Sequence, residues 1–128
     1  MTDDVHADIY QTFEGLRDEP LPRDIPRLQE RIAGLILRTL PDLQAAGSYW
    51  AKINLADSCR HFFANVRSNA AGAASDAWLR PCLVALDKAL LPAGSYNEDY
   101  CPRDAQIDRM GFDELARLVR TELAPFAT

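Results

Sequence analysis

Histidine is almost missing from this 128-residue chain, which holds only His6 and His61. That scarcity excludes paired E-x-x-H di-iron helices, H-E-x-x-H zinc sites and Cys2His2 fingers, each of which needs more imidazoles than are present. None of the six glycines falls in a G-x-x-x-x-G-K or G-x-G-x-x-G pattern, so the loops that cradle nucleotide phosphates are missing, and no G-x-S-x-G elbow occurs. The three cysteines, Cys59, Cys82 and Cys101, show no C-x-x-C spacing and cannot all pair within one chain. Reduced thiols follow. No apolar run approaches the roughly 18 residues of a membrane span, and the N-terminus opens on acids where a secretory or transit peptide needs basic residues. The expectation is a cytoplasmic protein without membrane contact.

Strand signals are also scarce. Period-two alternation never lasts, Asn-Gly and Asp-Gly turns do not occur, and no longer period repeats. Helical periodicity is abundant instead. Val5, Ile9, Phe13 and Leu16 make one stripe after Thr2, Asp3 and Asp4, and three prolines in EPLPRDIP form a connector closed by Asp24 as a cap. Leu28, Ile32, Leu35, Ile36 and Leu40 predict a second helix that Pro41 ends. Ser48 to Val66 carries an apolar face about half the circumference wide, as a central helix does. SNAAGAAS then reads as a loop, with Ser75 capping a fourth helix whose inner stripe is Trp78, Cys82, Leu86, Ala89 and Leu90. Pro81 there implies a kink or a late start. A short turn at Pro102 to Arg109 precedes a last helix with Phe112, Leu115, Ala116, Val119 and Leu123 inside. The fold class expected is all-α: one domain, a compact bundle of about five helices with one or two additional short helical turns.

Charge is uneven along the chain. Residues 1–24 carry a net −5, residues 25–94 +3 and residues 95–128 −3. Arginine outnumbers lysine twelve to two, a bias that GC-rich coding alone produces. Arg27, Arg31 and Arg38 lie along one edge of the second helix, and pairing with the acidic termini is the economical expectation for them. A sequence pI near 4.9 argues against nucleic acid as a partner.

Two segments carry candidate functional residues. On the third helix Trp50, Asn54, Asp57 and His61 recur at i, i+4, i+7 and i+11 and form one polar stripe headed by a tryptophan. Asp57, one turn before His61, could orient the imidazole for acid–base work. Alternatively the row could be a recognition face, or a structural polar face with Trp50 under a neighbouring helix. The second segment is PAGSYNEDYCPRD, long for a helix connection, where Tyr96 and Tyr100 surround Glu98 and Asp99. Tyrosines give contact area at low entropic cost and carboxylates give charge complementarity, which suits a protein interface; rings folded back onto the core are the competing reading. The spacing does not match a calcium loop. Cys59 and Cys82 fall in apolar stripes and read as core, while Cys101 lies in the loop beside Arg103, a neighbour that could lower its pKa and make it a reactive thiol.

The preferred expectation is a binding module without cofactor or metal. It would be a small acidic inhibitor, immunity-type or adaptor protein that occludes a basic partner such as a toxin, nuclease or effector. Homodimerisation through an exposed helix face fits the same pattern. The alternative is a small enzyme or ligand sensor with an inter-helix pocket around Asp57 and His61, where Arg60 or Arg67 holds an anion. A pocket over His61 would favour the enzyme, and a Trp50-to-His61 face continuous with the tyrosine loop would favour the interface.

Overall fold

A computed structural model describes residues 2–18, 24–72, 75–97, 99, 101 and 103–127. It is all-α, with six helices and no strand among the described residues. These are α1 (Thr2–Asp18), α2 (Ile25–Ala46), α3 (Tyr49–Ala70), α4 (Leu79–Ala89), α5 (Ala105–Arg109) and α6 (Phe112–Leu123). None is long and apolar enough to cross a membrane.

The apolar stripes account for the packing. Val5, Ile9 and Leu16 of α1, the whole expected face of α2, and Leu115, Ala116, Val119 and Leu123 of α6 are buried. They meet α3 and α4 in one cluster centred on Phe62, which makes edge contacts with Phe63 and Phe126 at 5.3 and 5.2 Å. The broad face of α3 gives it the central place: it packs most extensively on α4 and also touches α2, α5 and α6. A smaller cluster of Ile53, Ala56, Cys101 and Ile107 lies under α5, bordered by Tyr49 and Trp50.

The boundaries follow their caps. Asp24 accepts a hydrogen bond from the Arg27 N–H, Ser48 from Ala51, and Asp104 from Gln106 and Ile107. Three sequence expectations fail. Pro41 does not end α2, which runs through it to Ala46. Proline costs that helix a hydrogen bond, but stopping there would leave Leu43 outside, and Leu43 is almost fully buried. Termination comes instead at Gly47, whose φ of 63° places it in the left-handed region and lets its N–H bond the Leu43 carbonyl. Ser75 does not cap α4, because that helix begins four residues later at Leu79. The late start puts Pro81 in the first turn, where its missing N–H costs nothing. Finally, Trp78 lies outside the inner stripe of α4 and is 47% exposed.

Candidate functional site

The polar stripe of α3 exists as a line of residues, but each member has its own task. Trp50 stacks on Tyr96 with ring centroids 4.2 Å apart and planes 10° from parallel, and its Nε1–H donates to the Lys88 carbonyl at 2.7 Å. This joins the start of α3 to the segment after α4. Tyr96 in turn lies 3.4 Å from the Ser48 hydroxyl, the cap of α3. Asn54 turns back and donates to the Trp50 carbonyl of its own helix at 2.9 Å. Asp57 and His61 face each other with Oδ2 and Nδ1 3.8 Å apart, longer than the roughly 2.6–3.2 Å of a proton-transfer contact. Their side chains are 48% and 26% exposed, and Nδ1 of His61 accepts or donates no hydrogen bond among the described residues. A contact of that length holds neither ring nor carboxylate firmly.

His61 has another neighbour that the sequence did not point to. The Trp78 ring lies over it, centroids 5.9 Å apart and planes 17° from parallel. Trp78 has φ 77°, the left-handed region, and is the one non-glycine residue there among those described. A bulky residue in that region stores about 1–2 kcal/mol of strain. What holds it is the preceding loop, pinned by two asparagines of α3. Asn65, fully buried, donates to the Ser75 and Ala77 carbonyls at 3.1 and 2.7 Å and accepts from Gln29 of α2 at 2.8 Å. Asn69 exchanges hydrogen bonds with Ser75 in both directions, each 2.9 Å. The sequence signal was present: Asn65 and Asn69 lie one turn apart beside a serine-containing loop.

Of the tyrosine segment, Glu98 and Tyr100 fall outside the described residues. Asp99 is exposed, with its N–H bonded to the Asn97 side chain at 2.9 Å. Cys101 is buried against Ile53, Ala56 and Ile107 rather than open to solvent. The segment ends on Tyr49, over whose ring the Arg103 guanidinium sits at 4.2 Å and whose hydroxyl accepts from the Asp104 N–H at 2.7 Å. Arg60 bonds the Asp104 carboxylate at 2.8 Å; that guanidinium and the capping N–H groups hold the carboxyl below its usual range. Burial pushes the thiols of Cys59 and Cys82 up to about 12, as core cysteines behave.

Several concave regions surround the bundle. One of about 620 Å³ runs along α2 past Arg27, Glu30, Arg31, Gly34 and Arg38, with Asp8 of α1 and Ala127 also lining it. One of about 410 Å³ between α3, α5 and α6 is lined by Arg60 and Arg67 over Cys59, Phe63 and Leu118. A groove between α1 and α4, about 360 Å³, exposes Tyr10 and Val84 above His6 and Asp87. A fourth, about 400 Å³, lies beside Leu90 and Tyr96. Asp57 and His61 line none of these four, and the arginines offered as anion ligands face a different region. Of the expected intramolecular pairs, Arg38 bonds Asp8 at 2.6 Å, whereas Arg27 and Arg31 have no carboxylate at ion-pair distance among the described residues. Nor do three or more His, Cys, Asp or Glu side chains gather there as metal ligands would. Compared with family models, with curated proteins and with solved structures, the chain matches none of them.

Proposed function

We propose that the protein is a binding module that recognises another protein through the outer face of α3 and the segments flanking α4, and acts by covering its partner's surface. The observation that carries this reading is the Trp50–Tyr96 stack, which makes the α3 stripe and the tyrosine segment one continuous surface. Trp78 on His61 extends the same row along α3. Tryptophan and tyrosine are the residues that dominate interface energetics, and a tryptophan held in strained backbone while half exposed is ordered before any partner arrives. Asp57 and Asp99 add negative charge to this face, and the chain as a whole carries −5. The partner is therefore a basic protein; an inhibitor or immunity-type role toward a toxin, nuclease or effector in the cytoplasm fits that charge, and electrostatic steering would speed its capture.

The test begins with a stoichiometric partner captured from the native host and proceeds to purified binding. Trp78→Gly relieves the backbone strain, so the fold survives, yet affinity is expected to fall by about 2 kcal/mol, as at an interface hot spot. Replacing Asp57 and Asp99 together by lysine is expected to slow association and flatten its salt dependence, with the helical circular dichroism unchanged. Wild-type affinity in both variants would show that the partner binds elsewhere.

A further inference from the structure

The groove along α2 shares no residue with the tryptophan surface and stands or falls independently of it. Arg27, Arg31, Gly34 and Arg38 follow one another at i, i+4, i+7 and i+11, so α2 presents them as a single stripe along the groove. The three arginines are not equivalent. Arg38 is tied to Asp8 of α1 at 2.6 Å, which fixes its guanidinium and neutralises that carboxylate. Arg27 and Arg31 are exposed and lack such a partner among the described residues. Their placement works against the helix. Like charges one turn apart are unfavourable, and the Asp24 carboxylate that caps α2 is engaged by the Arg27 N–H rather than by either guanidinium.

Gly34 adds an independent observation. A glycine in a helix interior costs about 1 kcal/mol relative to alanine. Here the fold does not call for it: its φ is ordinary, and a Cβ built on it would meet no atom within 4 Å. What the missing side chain does is leave the floor of the groove open between Arg31 and Arg38. The resulting space of about 620 Å³ falls in the range of small-molecule sites. Two guanidinium forks without carboxylate partners, about one helical turn apart over an open floor, offer bidentate donors to the oxygens of phosphate groups. Glu30 at the rim and the Asp8–Arg38 pair limit the net charge of the lining, so the ligand is a compact anion held by direct contacts rather than a long polyanion held by field.

We propose that this groove binds a phosphorylated small molecule, with Arg27 and Arg31 holding its phosphate oxygens and Gly34 providing the room. Inorganic pyrophosphate is the probe, titrated calorimetrically into the full chain at low ionic strength, with sodium chloride of matched ionic strength as control. Saturable one-to-one binding is expected. Arg27→Gln and Arg31→Gln should each weaken it by about ten-fold or more, and Arg67→Gln, in the separate cavity beside α6, should leave it unchanged. Gly34→Leu is the decisive variant: it improves helix propensity and so keeps or raises the melting temperature, but fills the floor and abolishes binding. No saturable binding by the wild type, wild-type affinity in the two arginine variants, or wild-type affinity in a folded Gly34→Leu protein would each overturn the proposal.

Discussion

The two connections that flank α4 are anchored to the same helix, α3, by opposite means. The one before it is fastened at Ser75 and Ala77 by amides of α3: Asn65 and Asn69 satisfy the Ser75 backbone and the Ala77 carbonyl, and Asn69 also donates to the Asn65 carbonyl. The one after it meets aromatic faces at two points, with Tyr96 on Trp50 and Arg103 on Tyr49. Hydrogen bonds to a buried amide are directional and costly to leave half made, so residues 75–78 are held in place, with Trp78 at positive φ. Stacking is broader in its tolerance and loses its strength gradually. One loop is specified by geometry, the other by area.

That contrast is open to measurement. The largest effect is expected at Asn65→Leu, which strands the Ala77 carbonyl and the Gln29 amide and leaves the Ser75 carbonyl to Asn69 alone; urea unfolding should show a loss of about 3 kcal/mol. A loss below about 1 kcal/mol would mean that water replaces the amide and the loop is not fastened as described. Trp50→Ala removes the stack and the bond to the Lys88 carbonyl, and should cost about 2 kcal/mol, with amide exchange accelerating only in the segment after α4. Were it to destabilise the protein as much as Asn65→Leu does, the distinction between the two connections would collapse. The smallest effect belongs to Arg60→Gln. The folded Asp104 carboxyl lies below its unfolded value, so the stability it contributes is present above the ordinary carboxylate pKa and is lost as pH falls through the folded one. Melting temperatures of wild type and variant should thus differ slightly at neutral pH and converge in acid; a gap that persists or widens in acid would assign Arg60 a packing role instead.

Much of the fold was legible because it rests on period. The stripes of α1, α2, α3 and α6 turn inward as their spacing implies, with Phe13, Tyr49, Phe63, Val66 and Phe112 partly buried, and the Ser48 start and broad face of α3 were visible in the residues, whereas the end of α2 at Gly47 was not. The failures arise where tertiary packing outweighs a local rule. Pro41 is a helix breaker by backbone chemistry, but the burial of Leu40 and Leu43 on either side carries α2 through it. Trp78 fits a helical stripe by count, yet the Asn65 network stops the loop one residue short of α4 and turns the ring outward over His61. For the candidate surface, the i, i+4 spacing put Trp50, Asn54, Asp57 and His61 in line. It carried no information on the residues that reach them from elsewhere, Tyr96 and Trp78, because such contacts depend on how α4 lies across α3.

Both tryptophans of the chain fall on this comparison, one for each connection. Trp50 is stacked on a tyrosine and hydrogen-bonded through its indole; Trp78 is half open to solvent beside an imidazole. The molecule thereby contains two intrinsic fluorophores in unlike surroundings, and removal of either leaves an emission spectrum that belongs to a single loop. Folding, partner capture and local opening can each be followed at one connection at a time, with no label added to the protein.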